Sequence, residues 1–346
     1  MSESTPVSEV KLDDKKWSEK RRQESSMHRA EEYYGALAKE IYKKYGFEGT
    51  QCNNDQMIEM ARKYVPRALK NFHIVGNDCR TVAAYFKLVD KIVFDTDFEI
   101  LEDTPRRVVM RGSSGCPLSS NPQEELCAEM CEGGMGHEQI ACEIINPALT
   151  FRNLKLMSAG DESCDLCFEL PESAPISDVS VPVSLYKLDE AAWPEERRKK
   201  ARRLRDWENY GSIIRAVYRR YGKEGLQVVY EMTGDSAKKY VIMALKNHNL
   251  KGNDARTAGG YYKIYHKILF ENDLEIIEDT PNKVVLRNSG FCPLSSNPQE
   301  DLTAELCLNT MGHEHKACEI INPELKFSVP SLRSAGEPYC EYVFEL

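Results

Sequence analysis

Residues 116–124 read CPLSSNPQE and lead through a helical passage to ACEIINP at 141–147, and the same two phrases return at 292–300 and 317–323. Sliding the first 170 residues along the chain by 176 positions lays them on the last 170 without a gap, so that Cys116 falls on Cys292 and Leu170 on Leu346. A repeat of this length means one folding unit present twice, and it sets the domain count before any single element is read. The expected division is a first repeat at 1–170 with an arm at 1–13, a linker at 171–183 and a second repeat at 184–346.

Each half is long enough to bury most of its apolar side chains. The net charge of -9 speaks against general nucleic-acid binding, which needs clustered cations against a phosphate backbone. The one basic run, Arg197 to Arg205, is flanked by Glu195, Glu196, Asp206 and Glu208 and reads as the wet face of a helix. No segment has the length and apolarity of a signal peptide or a membrane span, so the expectation is a cytoplasmic protein without membrane contact. In a reducing compartment its 12 cysteines are thiols or ligands rather than a disulfide framework.

Within the first repeat, apolar residues recur three and four apart from Ala30 to Tyr45, from Met57 to Phe72 and from Val82 to Val93, which predicts three helices. Gly46 supplies a stop for the first, Pro66 lies inside the second, and Asn77 or Asp78 can cap the third. The pattern then shortens to extended runs at 98–102 and 108–111 around the turn formers Asp103, Thr104 and Pro105. A helix capped by Asn121, with Pro122 and Glu124 in its first turn, should end near Gly133 and Gly134; another from Met135 to Ile145 closes at Asn146 and Pro147. Strands follow at 149–156 and 164–170. The second half repeats this order. The expected fold is α+β: two tandem copies of a domain with helices on one face of an antiparallel sheet, packed as a pseudo-two-fold internal pair, with no bar to further oligomerisation.

Only four of the first half's eight cysteines have a mate: Cys116, Cys131, Cys142 and Cys164 match Cys292, Cys307, Cys318 and Cys340. Four thiolates suffice for zinc or an iron-sulfur cluster, but the spacings x14, x10 and x21 lack a close pair common to both halves. Three readings stay open: buried thiols, a metal or cluster in one or both halves, and a nucleophilic cysteine. Cys164 alternates with Asp165 and Glu169, which should point away from the core it shares with Leu166, Phe168 and Leu170.

His137 and His313 are the only histidines that match. Each starts a helix five residues before Cys142 or Cys318, about 140° past one full turn, so it reads as a pocket or acid-base residue rather than a ligand sharing the ion. Asn77, Asp78 and Arg80 recur as Asn253, Asp254 and Arg256. An arginine there suits a bidentate clamp on a substrate carboxylate, with the aspartate beside it; a helix cap with a local ion pair is the plainer alternative. Glu102 and Asp103, repeated at Glu278 and Asp279, have the chemistry of a turn. Matched tyrosines at 34, 42, 45, 64 and 85 are core residues, a subset of which would line an apolar pocket for a small-molecule ligand.

Cys116-Pro117, Cys131, Asn146-Pro147 and Ala159-Gly160-Asp161 ahead of Cys164, together with Cys292-Pro293, Cys307, Asn322-Pro323 and Ala335-Gly336-Glu337 ahead of Cys340, resemble the L-2-amino-thiazoline-4-carboxylic acid hydrolase family. More distantly they resemble the 4-vinyl reductase domain group, whose fold is shared with haem nitric-oxide sensors and TRAPP transport subunits. The first resemblance implies a hydrolase that opens a cyclic carbon-nitrogen bond of a small thiazoline-type substrate. The second implies small-molecule binding with cysteines that hold metal. The expected alternatives are therefore this hydrolase, a non-catalytic small-molecule or metal-binding module, and an iron-sulfur protein in redox or cofactor assembly.

Overall fold

The computed structural model describes residues 4–112, 127–294 and 302–346. The chain divides into two compact units, Tyr34–Arg205 and Met1–Tyr33 with Asp206–Leu346. The boundaries fall inside helices, not at the repeat junction. Each unit consists of the body of one repeat plus the leading segment that belongs, by sequence, to the other.

In the first repeat α1 (Glu19–Tyr45) stops at Gly46, whose φ of 61° suits a residue without a Cβ, and α2 (Phe47–Asn71) runs through Pro66. Asp78 caps α3 (Cys79–Val93): its side chain accepts from the Thr81 amide while the Thr81 hydroxyl serves the Asp78 backbone. Strands β1 (Glu99–Asp103) and β2 (Arg107–Gly112) form the expected hairpin. The helix predicted from Asn121 begins outside the described residues. Among the described residues a short helix, α4 (Ala128–Glu132), starts after Cys127, whose backbone is extended, and is closed by Gly133; α5 (Gly136–Ile145), β3 (Thr150–Lys155) and β4 (Cys164–Glu169) complete the repeat. The sheet is antiparallel in the order β1-β2-β4-β3. Val82, Tyr85 and Phe86 of α3 join Val108, Met110 and Phe168 of the sheet and Ala141 and Cys142 of α5 in one core.

The second repeat restates this. Its first two helices lie within α6 (Glu195–Asn247) and are separated at Gly222, whose φ of 56° matches the 61° of Gly46. Then come α7 (Ala255–Phe270), β5 (Glu275–Asp279), β6 (Lys283–Asn288), α8 (Ala304–Leu308), α9 (Gly312–Ile321), β7 (Lys326–Ser331) and β8 (Cys340–Glu345). The sheet order is β5-β6-β8-β7. The protein is thus α+β with a separate four-stranded antiparallel sheet in each half.

Three expectations are corrected or sharpened. The arm is not loose: Val7 and Val10 are buried, the Ser4 hydroxyl bonds Asp254, and the Lys263 ammonium donates to the Val7 and Val10 carbonyls, both at 2.9 Å. The linker behaves the same way against the first repeat, where Ser180 bonds Asp78 and Lys87 donates to the Val183 carbonyl at 3.0 Å. The two straps share the phrase Ser-x-Pro-Val, at 4–7 and 180–183. Proline and isolated valines leave no periodicity, which is why these segments read as coil. Secondly, Asp165 points away from the core as expected, yet it is buried there, clamped by Arg111 through two bonds of 2.8 Å. Cys167 is buried on that same face, beside the Arg107 and Arg152 side chains that hold Glu169. Thirdly, the basic run is wet only at its start. Lys199 meets Glu195 at 2.6 Å, whereas the Arg205 guanidinium lies over the Tyr64 ring at 4.6 Å.

Candidate functional site

Helices α6, α7 and α9 and strand β8 line a half-open chamber of about 120 Å³ in the unit built on the second repeat. Its wall is aromatic: Tyr33, Trp207, Tyr210, Tyr262, Tyr265, Phe270, Phe291 and Tyr342 all line it. Close approach of α9 to α6 makes this possible. A Cβ on Gly312 would overlap the Tyr230 carbonyl and stand 2.8 Å from the Thr233 hydroxyl.

His313 follows that glycine and is 2% exposed. Its Nε2 lies 2.7 Å from the Tyr261 hydroxyl, and its Nδ1 lies 3.2 Å from Ser236 Oγ and 3.3 Å from the Tyr33 hydroxyl. Burial, with Arg29 nearby, pushes its pKa down to about 3. A neutral imidazole with hydroxyls on both nitrogens fixes the tyrosine wall and has no free lone pair to offer as a base. His137 in the first repeat is held the same way, 2.6 Å from the Tyr85 hydroxyl, and burial also lowers it to about 3.

Glu314 is the next residue on α9 and lines the chamber. Burial raises its carboxyl to about 7, against a weak contact of 3.5 Å from the Tyr262 hydroxyl. Glu138, its mate, is likewise raised to about 7 by burial. Sequence reasoning missed both. The signal was the triplet Gly-His-Glu at 136–138 and 312–314, in which attention went to the histidine. His266 was also missed: it is 4% exposed, lines the chamber, is lowered by burial to about 3, and its Nδ1 is buried without a hydrogen-bond partner. It has no histidine mate, since Asp90 occupies the matched position.

The structure brings three of the second repeat's matched cysteines together. Cys292, Cys307 and Cys340 line the chamber, whereas Cys318 does not. Burial pushes the Cys307 and Cys318 thiols up to about 12 and raises Cys340. Among the described residues no three His, Cys, Asp or Glu side chains converge as ligands would. A four-sulfur centre in the second repeat does not fit this arrangement, because Cys318, one turn further along α9 than Glu314, does not line the chamber. In the first repeat Cys142 belongs to the core, Cys131 and Cys164 are half-buried, and Cys116 lies outside the described residues.

Arg80 and Arg256 stand elsewhere. Arg80 donates from Nε to Asp103 Oδ1 at 2.6 Å and from Nη2 to the Asp103 carbonyl at 2.9 Å. Arg256 repeats both bonds to Asp279, at 2.8 and 3.0 Å. Asp78 and Asp254 cap their helices. These residues form the cap and local ion pair, tying each third helix to its first strand. Neither Arg256 nor Asp254 lines the chamber, and no lysine or arginine does among the described residues.

No protein-family model matches the chain, and neither a curated protein nor a solved structure matches it at a significant level. Among the described residues no helix is long and apolar enough to cross a membrane.

Proposed function

We propose that this is a small-molecule-binding protein whose working site is the aromatic chamber of the second repeat. The observation that supports this best is the chamber itself: about 120 Å³, close to the volume of roughly 150 Å³ that admits a benzene ring in an apolar cavity. Its lining fixes what kind of molecule enters. With aromatic walls and no cationic side chain among the described lining residues, an anion would be desolvated with nothing to meet it. The ligand is therefore a single ring or its equivalent, and not a carboxylate.

A second reading, hydrolytic opening of a cyclic carbon-nitrogen bond, is supported by Glu314. A carboxyl titrating near 7 holds a proton at working pH and suits a general acid. Water would add to the ring carbon, the carbon-nitrogen bond would break, the leaving nitrogen would take its proton from Glu314, and the Glu314 carboxylate would take up the proton that the added water gives up. The chamber is the prior claim, because either reading needs it.

Trp207 lines the chamber and reports on its contents. Titration with single-ring probes such as phenol or tetrahydrofuran should change tryptophan emission saturably. Thr310→Phe, which places a ring into the chamber from its half-buried rim, should abolish that change while leaving the melting temperature within a few degrees. Unchanged binding in Thr310→Phe would locate the ligand elsewhere.

A further inference from the structure

Resting on that reading of the chamber, we infer that its ligand is a small organic monocation bearing N–H groups, such as a protonated cyclic amine or N-heterocycle, with Glu314 as counter-ion and His266 Nδ1 as acceptor. Three observations converge. The first is the wall of aromatic faces, whose quadrupoles attract a cation and whose apolarity rejects an anion. The second is Glu314, a carboxyl on that wall that meets its own backbone amide and, at 3.5 Å, the Tyr262 hydroxyl, with no lysine or arginine among the described lining residues. The third is His266, whose Nδ1 is buried without a partner on a side chain that also lines the chamber. An orphaned buried nitrogen costs about 1–3 kcal/mol, and a ligand N–H removes that cost.

The groups that face Glu314 stay uncharged. They are Tyr210 and Tyr230 from α6, Tyr261, Tyr262 and Tyr265 from α7, Tyr342 from β8, and Cys318 on its own helix. Burial raises every one of these, so all stay protonated. His266 and His313, both lowered to about 3, are neutral as well. Arg29, which acts on His313, lies 3.3 Å from the Glu32 carboxylate and stacks on Tyr240 at 3.2 Å. A cation entering the chamber converts Glu314 from a costly buried charge into one half of an ion pair, and so drives off its proton.

Pyrrolidinium and tetrahydrofuran test this on the full chain, since they share a five-membered skeleton and differ in charge and N–H content. Pyrrolidinium should bind at least ten-fold more tightly at pH 8. Its affinity should rise about ten-fold from pH 6 to 8 as Glu314 ionises, and calorimetry at pH 7 in buffers of different ionisation heat should show about half a proton released per cation, as expected of a carboxyl near 7. In Glu314→Gln the preference should shrink below two-fold. If that variant does not fold, the proton count on the unaltered protein decides. Equal affinities for the two rings, or pyrrolidinium binding without proton release, would overturn the cation assignment and leave the chamber standing. Failure of both rings to bind would remove the chamber with it.

Discussion

The two repeats keep one scaffold and differ in what fills it. At matched positions the chamber residues Tyr262, Tyr265, His266 and Tyr342 are answered in the first repeat by Phe86, Val89, Asp90 and Leu166, while the pairs His137-Glu138 and His313-Glu314 are common to both. The difference is one of aromatic rings and hydroxyls, with an imidazole exchanged for a carboxyl. In the second repeat the buried Glu314 carboxyl has neutral tyrosines about it. In the first, burial raises the Asp90 carboxyl well above its ordinary value, Glu138 adds to this and Arg205 offsets part of it. Duplication freed the wall to change because the parts that hold it, the capped third helix, the glycine before the histidine and the four-stranded sheet, stayed fixed.

The largest test of that shared frame is the glycine. Gly312→Ala forces a methyl into the Tyr230 carbonyl, a rigid backbone group, and should cost 3 kcal/mol or more, or prevent folding of the unit. Gly136→Ala meets the Asn54 side chain at 2.6 Å, its carbonyl at 2.8 Å and Ile58 at 2.8 Å. Part of that obstruction can move, so the expected cost is about 1–3 kcal/mol. Urea unfolding of each variant measures both; equal costs would mean that the helices do not approach more closely in the second repeat.

The paired glutamates give the next largest effect. Their folded pKa values of about 7 stand above the ordinary 4.5, so the native state binds protons that the unfolded chain releases between pH 4.5 and 7. Stability from this source is fully present below pH 4.5 and is lost as pH rises through 7, amounting to about 3 kcal/mol per group. The oppositely shifted carboxylates, Glu169 near 2 and the lowered Asp165, act only on the acid side. The buried histidines, lowered to about 3, act in the opposite sense, adding stability as pH rises to 6.5. They cancel in the difference between the unaltered protein and each of Glu138→Gln and Glu314→Gln, so the stability of the unaltered protein relative to either variant, read from unfolding midpoints, should fall from pH 5 to pH 8. A relative stability that does not change with pH would mean that the replaced carboxyl is solvated.

His266→Phe sharpens the contrast between the chambers. It removes a buried nitrogen without a partner and should raise stability by about 1 kcal/mol, read as a higher urea midpoint at pH 7. It should also weaken pyrrolidinium binding. A loss of stability would show that Nδ1 is satisfied in solution.

How far the sequence exposes this design depends on how each part is encoded. Helices such as α3 and the hairpins around Asp103 and Asp279 are legible because a repeating apolar face or a Thr-Pro turn is a local signal, and the duplication reads it out twice. The straps at 4–10 and 177–186 are not, since one or two buried valines and a few backbone bonds to Lys263 and Lys87 leave no period. The chamber is hidden for a different reason: its wall is assembled from residues as far apart as Tyr33 and Tyr342. The matched cysteines Cys292, Cys307 and Cys340 do meet at that wall. The acid beside the matched histidine meets them there with its ionisation displaced by burial, and a count of matched thiols carries no sign of it.

The smallest effect concerns what the repeats hold in common. Arg80 and Arg256 each bind an aspartate side chain and its carbonyl in a fork that lysine cannot reproduce. Their side chains are equally exposed, 19% in both, which limits the value of each ion pair to the order of 1 kcal/mol. Arg80→Lys and Arg256→Lys should therefore cost about 0.5–1 kcal/mol apiece, by the same amount in the two repeats, and neither should alter ligand affinity in the chamber. A selective loss of pyrrolidinium binding in Arg256→Lys would move this arginine from the frame into the site, and with it restore the carboxylate clamp that its spacing first suggested.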